Sequence, residues 1–151
     1  MKIKIIACGK LKEKYYQDAC AEYVKRLSAF CGVEIIETSE YSQYDTAREI
    51  EEEGKEILAK ISSGAVIVLD SRGYNPSSEE FARKLSDMTM RDSVINFIIG
   101  GPNGLSDEVC RSAGYTLSFG MLTYPHRLAR VMLLEQIYRA FMINAGRSYH
   151  K

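Results

Sequence analysis

The sequence predicts an open α/β domain, in which a mostly parallel sheet carries helices on both faces. Short β-branched runs alternate with longer amphipathic segments along the chain, and this order is typical of strands joined by helical crossovers. The run Val94 to Ile99 is almost continuously apolar, as expected for a central strand that is covered on both faces. A length of 151 residues suits a single domain, 1–151, with one core.

Five runs have the composition of strands: Ile3 to Cys8, Val33 to Thr38, Ala65 to Leu69, Val94 to Ile99 and Tyr115 to Ser118. Helices between strands bring the strands into parallel register, so their carboxyl ends meet at one edge of the sheet. Ligands bind at that edge in such folds. Three loops are therefore candidates for a site, namely Asp70 to Asn75, Gly100 to Leu105 and Phe119 to His126.

The first three helices are predicted from apolar stripes and from capping signals. The stripe of the first helix consists of Tyr15, Ala19, Tyr23, Leu27 and Phe30. The second helix begins at Asp45 or Thr46, and Glu49 follows Thr46 at the spacing of a capping box. Ser77 and Glu80 repeat that spacing before the third helix.

The last two helices differ in length and in pattern. The fourth starts at Ser106 and is short, whereas the fifth runs from about Arg127 to Asn144 and is apolar around nearly its whole circumference. A helix that is apolar on all sides is buried on all sides. In a small domain a terminal helix reaches that state by packing against a second chain, so we predict a homodimer. Burial of the helix within one monomer is the alternative.

Charge and composition exclude several classes of protein. The net charge is zero, but residues 1–26 and 121–151 are basic and residues 34–56 are acidic. We interpret the acidic block as a solvated helix face, and the basic ends as a phosphate-attracting patch if they share a surface. No apolar run could cross a membrane and no signal peptide is evident, so a cytoplasmic location is expected. The four cysteines form no CxxC pair, so we predict buried thiols and no metal site.

The stretch Ile98 to Ser106, IIGGPNGLS, contains three glycines after a strand. It lacks the lysine of a P-loop, and the first strand is followed by one glycine rather than by a dinucleotide fingerprint. Gly100 and Gly101 allow a ligand or another backbone to approach closely, and Pro102-Asn103 suits the middle of a tight turn. The segment from Phe119 to His126 is apolar where a loop should be polar, which indicates that an adenine ring or a partner chain covers it.

Four separated motifs together resemble one family. They are LDSRG at residues 69–73, IIGGPNGLS at 98–106, LTYPHRLARVMLLEQIYRAF at 122–141 and YHK at 149–151. In this order they resemble the SPOUT superfamily of RNA methyltransferases, and within it the RlmH type, over essentially the whole chain.

The resemblance implies a fold, a cofactor and a substrate. The C-terminal part would form a trefoil knot, the protein would be a homodimer, and the cofactor would be S-adenosylmethionine. The implied cofactor-binding residues are Leu69, Gly100, Phe119, Gly120, Met121, Leu122, Thr123 and Tyr124. The implied reaction is methylation of N3 of a pseudouridine in helix 69 of 23S rRNA, on the assembled ribosome.

The reaction implied by the resemblance requires a group that handles the proton of N3, and four candidate catalytic residues follow. His150 would assist proton removal and Tyr149 would stack on the base, in a tail that reaches the neighbouring subunit's cofactor. Glu135 and Arg139 have the spacing of a same-face pair. Both charges interrupt an apolar helix. We therefore expect them to face a water-filled cavity or a charge of the partner chain rather than to form a plain surface ion pair.

Four basic residues are candidate RNA-binding residues: Arg127, Arg130, Arg147 and Lys151. A solvated helix face is the alternative for the arginines, and His126 is interpreted as a structural or lining group. Two further functions remain open, a non-enzymatic nucleotide-binding dimer module and a purely structural dimerisation domain.

Overall fold

The structure, a computed structural model, describes residues 1–150, and five strands form its sheet. The strands are β1 (Lys2–Cys8), β2 (Gly32–Thr38), β3 (Ala65–Tyr74), β4 (Val94–Ile99) and β5 (Tyr115–Leu117). Their order is β2-β1-β4-β3-β5, and all neighbours are parallel. The predicted open parallel sheet is confirmed. β3 is longer than predicted, because it continues beyond a shift in register after Leu69.

Helices cover both faces of this sheet, as predicted. They are α1 (Lys14–Leu27), α2 (Thr46–Lys60), α3 (Ser78–Arg91), α4 (Asp107–Ser112) and α5 (His126–Asn144). One buried cluster joins α1, α3 and α5 to strand residues such as Ile5 and Phe97. The other joins Ile57 of α2 and Val109 of α4 to strand residues such as Ile98. Neighbouring residues of one strand thus serve opposite faces, as the pleat requires.

The predicted starts of α3 at Ser77 and of α4 at Ser106 are confirmed, and the structure decides between the two alternatives for α2. Ser77 and Glu80 form the predicted capping box of α3. At α2 the N-cap is Asp45, whose carboxylate accepts the Arg48 N–H at 3.0 Å. The predicted stripe of α1 is partly wrong, because Tyr15 is exposed and Cys20 is buried instead.

Helix α5 lies between α1 and α3 within one chain. Leu133, Leu134 and Ile137 are fully buried there, and each contributes about 1.5–3 kcal/mol through burial. These intrachain contacts correspond to the alternative of a helix buried within one monomer, so the apolar circumference alone does not require a partner. None of the helices in residues 1–150 is long and apolar enough to cross a membrane.

Candidate functional site

Three loops and the start of α5 enclose a cavity of about 280 Å³. The loops follow β3, β4 and β5, so the cavity lies at the carboxyl ends of the strands, where α/β proteins bind ligands. Every residue that the resemblance implied as cofactor-binding lines it: Leu69, Gly100, Phe119, Gly120, Met121, Leu122, Thr123 and Tyr124. The fold therefore brings together residues that are up to 55 positions apart in the sequence.

The glycine loop forms one wall of this cavity. The Gly104 N–H donates to the Gly101 carbonyl oxygen at 3.1 Å, which confirms the predicted turn through Pro102 and Asn103. Gly104 has φ +87°, a conformation that favours glycine. A Cβ on Gly100 would lie 2.8 Å from Leu105 Cδ2, so a larger residue at this position would require Leu105 to move.

The loop after β5 forms the opposite wall and is held by Ser118. The Ser118 hydroxyl oxygen accepts the Gly120 N–H at 3.0 Å and lies 3.2 Å from the Ser71 carbonyl oxygen. It therefore ties the β5 loop to the β3 loop. Met121 and Leu122 are 96% and 74% exposed, so within residues 1–150 nothing covers these apolar side chains.

His126 lines the cavity at the first turn of α5. Its Nε2 atom is buried and finds no hydrogen-bond partner in residues 1–150. Burial lowers the pKa of His126, and the charges of Arg127 and Arg130 lower it further against the opposing effects of Glu40 and Glu13. A neutral imidazole thus lines the site, and its buried Nε2 atom has no hydrogen-bond partner among the described residues.

A second cavity of about 410 Å³ adjoins the first. The two share Leu117 and Phe119 as lining residues. Glu135 and Gln136 line the second cavity from α5. A carboxylate is thereby placed close to the cavity of the glycine loop.

The four candidate catalytic residues form one hydrogen-bonded cluster around Glu135. Its Oε1 atom accepts from Arg139 Nη2 at 2.6 Å and from the Tyr149 hydroxyl at 3.2 Å. Arg139 Nη1 lies 3.3 Å from His150 Nδ1, and His150 Nε2 lies 2.6 Å from Glu79 Oε1. The sequence predicted the Glu135–Arg139 pair but not the contact with Glu79.

The phenol and the guanidinium of this cluster keep their protons at neutral pH. Burial, with Tyr23 and Glu135 nearby, raises the pKa of Tyr149 to about 12. The hydrogen bond to Glu135 raises the pKa of Arg139. Tyr149 is therefore a hydrogen-bond donor rather than a base. Arg139 also lies over its ring at 4.7 Å, a cation–π contact.

The candidate RNA-binding residues lie in different environments. Arg127 pairs with Glu13 at 2.9 Å, and the exposed Arg147 lies over Phe30 at 5.2 Å. Arg130 is 1% exposed and donates to the Gly9 carbonyl oxygen at 3.0 Å. Its prediction as an RNA contact is corrected, because a core side chain is inaccessible to phosphate. Lys151 lies outside the described residues.

Sequence reasoning missed two residues that shape the cavity, Ser118 and Glu53. Glu53 belongs to the acidic block that was interpreted as a solvated face, yet it is buried, and its Oε1 accepts the Gly101 N–H at 3.0 Å. Glu53 lies one helical turn before the buried Ile57, and this spacing predicts that the two residues share the buried face of α2.

Cysteines and acids of the described chain do not assemble into a metal centre. Residues 1–150 contain no group of three or more His, Cys, Asp or Glu residues that could hold an ion. Cys8, Cys20 and Cys31 are buried thiols, as predicted, whereas Cys110 is partly exposed.

An open parallel sheet with a cavity at the carboxyl ends of its strands defines the class, that of α/β ligand-binding proteins. A family model described as a predicted SPOUT methyltransferase matches residues 1–150. The chain is 52% identical to ribosomal RNA large subunit methyltransferase H of Latilactobacillus sakei and 48% identical to that of Carboxydothermus hydrogenoformans, over the full length of both chains in each case. The chain belongs to the SPOUT methyltransferase family and, within it, to the RlmH family.

Solved structures share the fold at low sequence identity. A probable methylase family protein of Haemophilus influenzae superposes with a TM-score of 0.59 at 15% identity, covering 99% of this chain and 70% of that one. A putative methyltransferase of Legionella pneumophila, solved with bound S-adenosylmethionine, gives 0.50 at 15% identity, covering 93% and 66%. At 15% identity, these two similarities show a shared fold only.

Proposed function

We propose that the protein is a cytoplasmic S-adenosylmethionine-dependent methyltransferase of the large ribosomal subunit RNA. Its substrate is N3 of a pseudouridine in helix 69 of 23S rRNA on the assembled ribosome. The observation that carries the proposal is the convergence of three loops on one cavity at the carboxyl ends of the strands. Full-length relatives that are named as ribosomal RNA methyltransferases support it.

The residues of the first cavity fit the proposed cofactor. Met121 and Leu122 offer apolar walls, Gly100 allows close approach to backbone groups, and the unpaired His126 Nε2 offers a polar contact. S-adenosylmethionine, when bound, supplies an electrophilic methyl group on its sulfonium. Positioning the nucleophile and removing its proton are then the tasks of the protein.

The cluster on α5 provides groups for that proton. N3 of a pseudouridine carries an imide hydrogen that must leave before or during attack. In the proposed mechanism a His150 nitrogen accepts this proton, and the Arg139 guanidinium stabilises the anionic base. Tyr149 stays protonated and offers its ring for stacking on the base. Arg127 and Arg147, together with Lys151, are proposed as phosphate contacts.

A second copy of the chain completes the proposed site. Neither Tyr149 nor His150 lines the two cavities described above, and Met121 and Leu122 are exposed in the single chain. We therefore assign the tail to the partner's cavity in a homodimer, with the family's knot in the C-terminal part. Sedimentation of the purified protein at the mass of a monomer would contradict the dimer.

The experiment that tests this function is removal of residues 149–151. Methyl transfer to ribosomes that lack the modification should fall by about 100-fold or more, since proton-transfer groups contribute on that scale. S-adenosylmethionine binding, measured by calorimetry, should persist, because the residues assigned to the cofactor belong to the three loops, whereas the tail is assigned to the base and the phosphates. Replacing the same three residues by alanines should cause the same loss, because it removes the side chains and keeps the length of the chain. Full transfer by the shortened protein contradicts the role of the tail, and binding of AMP alone favours the nucleotide-binding module.

A further inference from the structure

Glu53 is a buried carboxylate on α2, a helix whose other acids are exposed or partly exposed. It is 4% exposed, and none of the described lysines or arginines forms a salt bridge with it. A buried carboxylate is costly unless hydrogen bonds satisfy it. Its Oε1 accepts the Gly101 N–H at 3.0 Å, so a backbone amide of the glycine loop supplies part of that compensation.

The surroundings of Gly101 are shaped to admit this carboxylate. A Cβ at position 101 would lie 3.1 Å from both Cys8 Sγ and Glu53 Oε2, so glycine leaves the space that the acid occupies. Burial and the neighbouring Glu53 raise the pKa of Cys8, and the thiol therefore stays protonated beside the acid. Cys8 ends β1 and Glu53 lies on α2, so two separate elements meet behind the loop.

A second contact links the same helix to the same turn. Glu49 lies one helical turn before Glu53, and its Oε2 accepts from Asn103 Nδ2 at 2.9 Å. The turn from Gly101 to Gly104 is thus held at two points from α2, while its other side lines the cavity. A movement of the Gly101 amide away from α2 breaks the bond to Glu53.

We infer that Glu53 is the positioning residue of the glycine loop, holding the Gly100–Gly101 backbone in the conformation that accepts the cofactor. The inference rests on the proposed function for the identity of the cofactor, S-adenosylmethionine. Glu53 acts through the Gly101 amide and does not touch the ligand. Its loss therefore weakens ligand binding, while turnover at saturating cofactor is preserved.

Three substitutions separate this role from general stability. Glu53→Gln keeps a carbonyl oxygen for the Gly101 N–H, Glu53→Asp keeps the charge but is too short to reach it, and Glu53→Leu removes the acceptor. Glu51→Leu is the matched control, because Glu51 is exposed on the same helix and pairs only with Lys55.

Calorimetry with S-adenosylmethionine and amide hydrogen exchange at Gly101 provide the readouts. Glu53→Leu and Glu53→Asp should raise the dissociation constant about tenfold, which corresponds to loss of one hydrogen bond of about 1.4 kcal/mol. The KM for S-adenosylmethionine should rise with it while kcat changes little. Glu53→Gln and the control should stay within about threefold of the unmodified protein, a difference below 1 kcal/mol.

Two results would overturn the inference. One is unchanged affinity in Glu53→Leu despite a lower melting temperature, and the other is equal loss in Glu53→Gln and Glu53→Leu. If Glu53→Leu does not fold, Glu53→Asp decides in its place. If the unmodified protein binds no S-adenosylmethionine, the proposed function fails. The role of Glu53 in holding the loop is then tested by hydrogen exchange alone, and it is supported only if the Gly101 amide exchanges faster in Glu53→Asp.

Discussion

At the scale of single residues, Arg130 is a charged side chain that is buried in the core. Arg130 donates to the Gly9 carbonyl oxygen and lies 3.5 Å from Glu37. The sequence grouped it with surface arginines, because a charge alone says nothing about burial. Its spacing from Leu133, Leu134 and Ile137, at three, four and seven residues, indicates the core-facing side of α5. The helical spacing therefore predicts the burial of Arg130 better than its charge does.

Replacing Arg130 by alanine should destabilise the protein strongly. The change leaves the Gly9 carbonyl oxygen and Glu37 without their partner and creates a cavity, so we expect a loss of about 3 kcal/mol in the free energy of unfolding. Urea denaturation measures this, with the exposed Arg147→Ala as control. A stable Arg130→Ala protein with weakened ribosome binding would restore the original prediction of an RNA contact.

The pH dependence of stability should report the buried His126. Its pKa is lowered in the folded protein from an ordinary value of 6.5, so just below pH 6.5 the unfolded chain binds more protons than the folded one. The free energy of unfolding therefore falls as pH drops through this window. His126→Gln removes that contribution, and its urea midpoint should decline less between pH 7.5 and 5.5. Parallel declines of the two proteins would contradict the assignment.

At the scale of elements, local signals predicted the strands and helices, while the contacts between elements were not predictable. The three-glycine turn and the Ser77 capping box follow from residues close in sequence. The contact from Glu53 to Gly101 spans 48 residues, and that from Arg130 to Gly9 spans 121. Periodicity shows which face of an element is apolar, but not which partner covers it, so the supports of the loop were missed.

The start of α2 offers a test at this scale. Asp45 accepts the Arg48 N–H, so Asp45→Ala should cost about 1 kcal/mol in the free energy of unfolding. Thr46→Ala should cost less, because Thr46 lies inside the helix. Thermal and urea unfolding measure the stability of the two variants. A larger loss of unfolding free energy in Thr46→Ala than in Asp45→Ala would contradict the observed cap.

At the scale of the whole molecule, the net charge of zero is consistent with the proposal that structured RNA is recognised by its shape. The basic ends of the chain are partly neutralised, since Arg127 pairs with Glu13 and Glu40 and Arg130 with Glu37. The patch predicted from charge counting is therefore weaker than the sequence suggested. Free RNA should bind weakly, and the assembled ribosome is expected to supply the complementary surface.

The central claim is the reaction, and one assay tests it most directly. Purified protein and S-adenosylmethionine carrying a labelled methyl group are incubated with ribosomes that lack the modification, with helix 69 containing either pseudouridine or uridine at the target. The account predicts label on N3 of the pseudouridine and lower transfer to uridine, because uridine lacks the free N1–H that distinguishes a pseudouridine. Equal labelling of both ribosomes, or none of either, would contradict it.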